Sequence, residues 1–193
     1  QVNGSLKDAE VRDLYKELLE LPGKIEQILE TVEPLRELTR TFAQNNTVLF
    51  LGRNIGYPVA LEGALKLKEL AYIHAEGFAG GELKHGPIAL IEPGQPVIVV
   101  VPSPAAEDSL HAKVISNIQE VRARGAKTIL IVEEGDDSIL DFADHIIRIP
   151  QTSSLLQPLV ATVPLQVFSC ALATLKGHDV DQPRNLAKSV TVE

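Results

Sequence analysis

Two acidic residues and the lysine between them are spaced as on one face of a helix. Glu62, Lys66 and Glu69 lie four and three residues apart within the segment YPVALEGALKLKELAYIH. That spacing puts the three side chains on one stripe of a helix. The stripe is either a solvated face held by salt bridges, or a site in which Glu62 and Lys66 orient Glu69. In the second case Glu69 acts as a general base that moves a proton between adjacent carbon atoms.

A second candidate, His85, lies in the glycine-punctuated stretch GGELKHGP. Glycines let a backbone turn tightly and approach a ligand closely. A histidine there can donate or accept a proton near neutral pH. The alternative is a capping or surface histidine with no chemical role.

The third candidate is the polar tail from about residue 178 to residue 193, which contains Arg184, Asn185, Ala187 and Lys188. A polar terminal segment is commonly a frayed end. A lysine held in a closed pocket, however, can form a Schiff base with a carbonyl compound. Both interpretations remain open on composition alone.

The sequence gives only weak indications of a site for an anion, a metal ion or a cofactor. The turns at residues 52–58 and 102–109 are poor phosphate cradles, and the second contains prolines, which lack an N–H donor, and acidic residues. Neither a Walker motif nor GxGxxG occurs. His74, His111, His145 and His178 share no ligand spacing, and Cys170 is isolated. We therefore predict no metal and no cofactor.

Apolar runs alternate with helical patterns, which predicts an α/β domain. We predict a helical arm over residues 1–45, broken at Pro22-Gly23, and a main domain over residues 46–193 that ends in the tail. Nearly all-apolar strands indicate a parallel sheet covered on both faces, a three-layer αβα sandwich of flavodoxin or Rossmann character. The predicted strands are 47–51, 96–101, 128–132 and 143–149, and the predicted helices of the main domain are 57–72, 106–124 and 155–176.

Composition narrows the class of protein. The net charge of −8 argues against a nucleic-acid partner. Because Cys170 is the single cysteine, no disulfide can form within the chain, which predicts a cytoplasmic setting. We interpret Cys170 as a small buried hydrophobic residue. Residues 149–175 carry no charge over a membrane-spanning length, but the glutamines and prolines in this run favour a buried helix and no membrane. The chain starts with Gln and has no Met, so we expect a fragment.

Three segments together carry a family resemblance. ALEGALKLKELAYIHAEGFAGGELKHGP, TVPLQ and the ending DVDQPRNLAKSVTVE occur in this order. They resemble the C-terminal part of the glucosamine-6-phosphate synthase family, also called glutamine–fructose-6-phosphate aminotransferases (isomerising). In that family a glutaminase domain precedes two sugar-isomerase (SIS) domains, and this chain resembles the second SIS domain.

The resemblance implies roles for the candidates. Lys188 matches the lysine that forms an imine with the open-chain sugar, and Glu69 matches the base that moves the proton between C1 and C2. His85 matches the histidine of ring opening, contributed across a dimer interface. Glu62 and Lys66 match the helix positions that support the base, Glu69. The tail, with Arg184, Asn185 and Ala187, covers the sugar, and we expect Ala187, Lys188 and Glu69 to contact it.

The resemblance also implies partners. They are a sugar phosphate (fructose 6-phosphate or glucosamine 6-phosphate), a second copy of the chain, and the first SIS and glutaminase domains, which this chain lacks. Because most phosphate ligands come from the first SIS domain, we expect the chain alone to be inactive. The alternative is a non-catalytic SIS module that binds phosphosugars or serves for dimerisation.

Overall fold

Five parallel strands form one sheet in the order β2-β1-β3-β4-β5. The computed structural model describes residues 6–104 and 108–186. Helices cover both faces of the sheet, so the predicted three-layer αβα class is confirmed. This strand order is the flavodoxin-like one, with a switch point between β1 and β3. The elements are α1 (Asp8–Leu29), α2 (Val32–Phe42), β1 (Thr47–Gly52), α3 (Gly56–Lys66), β2 (His74–Ala79), β3 (Pro96–Val100), α4 (Asp108–Arg122), β4 (Lys127–Glu133), β5 (His145–Ile149) and α5 (Gln157–Leu175).

The strand β2 was not predicted, since the sequence pattern indicated only four strands. Its sequence, HAEGFA, lacks the apolar run of the other strands because β2 lies at the edge of the sheet and pairs only with β1. The register aligns Thr47 with His74 and Gly52 with Ala79. β2 therefore connects the amino edge of the sheet to its carboxyl edge.

The predicted helix break at Pro22-Gly23 is wrong. α1 runs through Pro22 to Leu29, and the break falls at residues 30–31. Burial of Leu21 and Ile28 fixes the path of α1, so the hydrogen bond that Pro22 cannot donate is a tolerable loss. Pro34 lies in the first turn of α2, where backbone N–H groups have no partner within the helix.

The core has two parts, one on each face of the sheet. One joins the sheet to α3 and α5 and includes Leu21, Ile28, Leu35 and Phe42 of the predicted arm. The other packs α4 against the opposite face. The arm therefore shares the core of the main domain, and a boundary at residue 45 stays a prediction.

Helix α5 is only partly buried. By length and composition it is the one helix among the described residues that could cross a membrane. Within its most apolar 18-residue stretch, 44% is buried inside the protein. Phe168 and Leu172 pack in the core, as expected for the central helix of an α/β domain. The opposite face is exposed and carries Cys170, so the prediction of a buried cysteine is wrong. Burial of part of the side chain and the charge of Asp181 raise the pKa of the Cys170 thiol.

Candidate active site

Helix α3 continues into one π turn, Leu67–Ala71, and ends at Tyr72. Tyr72 adopts the left-handed conformation, with φ of 54°. Single π turns inside helices occur frequently at functional sites. This turn carries Glu69 and brings the chain from α3 to the start of β2 at the amino edge of the sheet.

The predicted stripe is present as an ion cluster. The ammonium of Lys66 lies 2.6 Å from Oε2 of Glu69 and 3.6 Å from Oε1 of Glu62. The hydrogen bond to Glu69 is the main cause that raises the pKa of Lys66 above its ordinary value, with Glu62 adding to it against partial burial. The ion pairs with the two glutamates therefore favour the ammonium form of Lys66, which is not nucleophilic.

Tyr72 anchors the tail. The backbone N–H of Arg184 donates to the phenolic oxygen of Tyr72 at 2.8 Å. The Arg184 guanidinium also lies over the Tyr72 ring, 4.0 Å from its centroid, and the centroid of the His178 ring is 4.5 Å from that of Tyr72. A cation over an aromatic face is attracted by the negative potential of the ring. The tail up to Leu186 is thus fastened to the end of the π turn.

The π turn and the tail border an open cleft of about 480 Å³. We call it the tail cleft, and its lining residues are Lys68, Glu69, Tyr72, Ile73, His74, Arg184, Asn185 and Leu186. The structure therefore brings together three predicted site residues that are far apart in sequence, Glu69, Arg184 and Asn185. Ala187 and Lys188, both predicted to contact substrate, lie outside the described residues.

His85 is not at the tail cleft. It follows β2 at the carboxyl edge of the sheet, whereas His74, at the amino end of β2, lines the cleft. Five residue steps of strand separate His74 from Ala79, which is about 16 Å. The His85 side chain is 71% exposed, and its Nδ1 lies 2.8 Å from Glu82 Oε2. Within one chain, His85 and Glu69 therefore do not share a site.

Sequence reasoning missed Lys68, Tyr72, Ile73 and His74 in the lining of this cleft, and the His178 ring that packs against Tyr72. The available signal was Tyr72, an aromatic residue at the end of the predicted helix 57–72. Its left-handed backbone conformation is visible only in the structure. Within residues 6–104 and 108–186, no three His, Cys, Asp or Glu side chains are grouped so that they could hold a metal ion.

A parallel five-stranded sheet in this order, with a cleft beside α3 and its π turn, has the architecture that sugar-isomerase domains share with other flavodoxin-like folds. The SIS domain model matches residues 41–176, and the chain belongs to that family. Over all 193 residues it is 65% identical to the glutamine–fructose-6-phosphate aminotransferase (isomerizing) of Streptomyces coelicolor and 64% identical to that of Corynebacterium efficiens. The chain spans 31% of the length of each relative.

Solved structures agree with this assignment. The C-terminal domain of the glucosamine-fructose-6-phosphate aminotransferase of Francisella tularensis superposes with a TM-score of 0.84 at 38% identity, over 92% of this chain and 49% of that one. A tagatose-6-phosphate ketose/aldose isomerase homologue from Clostridium novyi has a TM-score of 0.81 at 19% identity, over 96% and 50%, which shows the fold alone. The predicted resemblance, including the match to a part of a longer protein, is confirmed.

Proposed function

We propose that the chain is the sugar-isomerising C-terminal part of a glutamine–fructose-6-phosphate aminotransferase. The observation that carries this proposal is the tail cleft, which Glu69, paired with the Lys66 ammonium, lines together with residues of the docked tail. Lys188 follows Leu186, which lines the cleft, by two residues, so the chain can place their Cα atoms no more than about 7 Å apart. We propose that the amine of Lys188 and the carboxylate of Glu69 act on one substrate.

In the proposed reaction the amine of Lys188 adds to the C2 carbonyl of open-chain fructose 6-phosphate, and water leaves. Ammonia then adds to the imine carbon, and the lysine amine departs. Glu69 takes a proton from C1 of the resulting C2 imine and returns it to C2, while the proton of the C1 hydroxyl passes to the nitrogen. C1 thereby becomes the aldehyde carbon and C2 carries the amine of glucosamine 6-phosphate. One ammonia is consumed and one water is released. Lys66 is paired with Glu69 at 2.6 Å, so in this proposal it holds the carboxylate in place and Lys188 forms the imine.

The placement of His85 supports an arrangement with two copies of the chain. An exposed histidine far from its own tail cleft can serve ring opening only in the cleft of a neighbour. We therefore propose a homodimer in which each copy gives His85 to the other. Ammonia and the phosphate ligands come from a glutaminase domain and a first SIS domain in the longer protein. Its setting is the cytoplasm and its product is a precursor of UDP-N-acetylglucosamine.

The test is substitution of Lys188 in the longer protein that contains this chain. Lys188→Ala should abolish synthesis, and Lys188→Arg, which keeps the charge but cannot form an imine, should be equally inactive. Borohydride reduction with fructose 6-phosphate should attach the sugar to Lys188 of the unsubstituted protein, as seen by mass spectrometry. Activity of Lys188→Ala, or of Lys188→Arg alone, would count against imine chemistry. The first result would favour the non-catalytic SIS module, which needs neither Lys188 nor Glu69.

A further inference from the structure

A second, smaller cavity of about 180 Å³ lies at the carboxyl edge of the sheet, away from the tail cleft. Three elements meet there, the turn after β1, the glycine pair after β2 and the middle of α4. Its lining residues are Arg53, Gly80, Gly81, Lys84, Lys113, Ser116, Asn117 and Glu120. Nothing in the proposed isomerase chemistry uses this cavity.

The Arg53 guanidinium is fixed in the cavity wall. Its Nε donates to Oδ1 of Asn117 at 2.9 Å, and no ion pair joins it to a carboxylate of any residue that the structure describes. A Cβ at position 80 would lie 2.7 Å from the same Asn117 oxygen, so glycine is required for this contact. The terminal nitrogens of Arg53 pass about 4 Å from the place of a Cβ on Gly81. The two terminal amino groups of Arg53 are therefore held in position, and neither donates to a side chain or carbonyl among the described residues.

The remaining charges favour an anion. Lys113 makes no ion pair within the described part of the chain. Lys84 is compensated, because its ammonium lies 2.9 Å from Oε1 of Glu120. Arg53 and Lys113 thus leave an excess of about two positive charges around a small cavity. A guanidinium with two free amino groups matches the oxygens of a tetrahedral oxyanion in a bidentate way.

Glu120 makes the cavity selective. Its Oε2 is buried and has no hydrogen-bond partner among the described residues, while Oε1 already receives Lys84 and Ser116. Glu120 lines the cavity and the last torsion of a glutamate side chain is soft, so we expect a partial rotation of the carboxylate to bring the unpartnered Oε2 within reach of a bound ligand. A carboxylate repels a fully ionised oxyanion but accepts a hydrogen bond from one that carries a proton. Hydrogen phosphate carries such a proton at neutral pH, and sulfate does not.

We propose that this cavity is a binding site for a protonated tetrahedral oxyanion, inorganic phosphate or the phosphate of a small monoester. The Arg53 amino groups and Lys113 bind its oxygens, and Glu120 accepts its P–OH. The site is separate from the tail cleft and adjoins the turn that carries His85. It does not depend on the isomerase proposal.

The test is an NMR titration of the ¹⁵N-labelled chain with inorganic phosphate, sulfate and chloride at constant ionic strength. Phosphate should shift the Gly80 and Gly81 amides saturably, with a dissociation constant on the order of 1 mM. Sulfate should bind at least tenfold more weakly. Glycerol 3-phosphate in a parallel titration separates the two ligand sources by affinity. A lower dissociation constant than that of inorganic phosphate identifies a monoester site, a higher one identifies a site for the free ion, and glycerol alone should shift nothing.

Substitutions decide between a built site and unspecific attraction. Arg53→Gln should weaken phosphate binding at least tenfold, and Glu120→Gln should remove the preference over sulfate. Lys16→Gln, the same charge change on α1, should leave binding unchanged. If Arg53→Gln does not fold, Lys113→Gln carries the test, since it disrupts no contact in the described structure. Absence of saturable shifts, equal binding of phosphate and sulfate, or equal effects of Lys16→Gln and Lys113→Gln would overturn the proposal.

Discussion

The ammonium of Lys66 lies 2.6 Å from Oε2 of Glu69, across the junction between α3 and its π turn. Both side chains are about three-quarters buried, so water screens this pair less than an exposed one. The pair fixes the orientation of the carboxylate and keeps the lysine charged. The proposed division of work between Lys66 and Lys188 rests on this contact.

Glu69→Gln should separate proton transfer from imine formation. In the longer protein we expect kcat to fall about 10²- to 10⁴-fold, the usual contribution of a general base. Borohydride should still trap the sugar on Lys188, because the imine forms before the proton moves. Lys66→Met should lower kcat less and leave KM nearly unchanged. If trapping is lost in Glu69→Gln, the carboxylate acts in sugar binding or ring opening instead.

Tyr72 should control how firmly the tail is docked. Tyr72→Phe removes the acceptor for the Arg184 amide but keeps the ring under the guanidinium, whereas Tyr72→Leu removes both. Hydrogen exchange of the Arg184 amide should therefore accelerate in Tyr72→Phe and further in Tyr72→Leu. Tyr15→Phe, at an exposed tyrosine of α1, is the matched control. Unchanged exchange in both Tyr72 variants would show that the tail is held by other contacts.

The buried carboxylate of Glu133 should make stability depend on pH. Burial is the main cause that raises its pKa above 4.5, against hydrogen bonds from Ser103 and the Thr152 N–H. Because the folded-state pKa is the higher one, the stabilising contribution is complete below pH 4.5 and is lost as pH rises through the folded value. Relative to the wild type, Glu133→Gln should therefore gain stability from about pH 4 to about pH 8 in urea denaturation. A constant difference over this range would contradict the assignment.

Two glycines should respond in opposite ways to alanine. A Cβ at Gly52, where β1 turns into α3, would lie 2.1 Å from the carbonyl oxygen of Gly56. We expect Gly52→Ala to lower the free energy of unfolding by about 1–3 kcal/mol or more. Gly23 lies inside α1, and apart from the adjacent residues and the backbone of its own helix nothing lies within 4 Å of the added Cβ. Gly23→Ala should raise that energy by about 0.5–1 kcal/mol. Urea denaturation of both variants checks the pair, and a destabilised Gly23→Ala would be the contrary result.

The chain alone should bind fructose 6-phosphate weakly. The tail cleft offers Glu69 and Arg184 but, among its described lining residues, no serine- or threonine-rich turn at a helix start. Calorimetric titration should detect no micromolar binding, and synthase activity should be negligible. A micromolar dissociation constant would contradict this prediction. Weak phosphate-group binding at the Arg53 cavity is distinguished by its dependence on Arg53 and its independence of Glu69.

The sequence allowed prediction of the features that are encoded by local patterns of residues. The buried strands followed from continuous apolar runs, the stripe of Glu62, Lys66 and Glu69 followed from helical spacing, and the family followed from contiguous motifs. β2 was missed because an edge strand needs few apolar residues. The path of α1 through Pro22 was mispredicted because tertiary burial outweighed a local helix breaker. The Tyr72–Arg184 contact joins residues 112 positions apart, and no periodic pattern encodes such a pairing.

Because of the π turn, the number of residues between α3 and β2 determines in which direction Glu69 and Tyr72 face. Each residue added to or removed from a helix rotates the next part of the chain by about 100°. Deleting one residue from Leu67–Ala71 would restore regular α-helical winding, and Glu69 and Tyr72 would no longer face the same opening. Among homologues that use this cleft we therefore expect substitutions in the turn to be tolerated more readily than insertions or deletions.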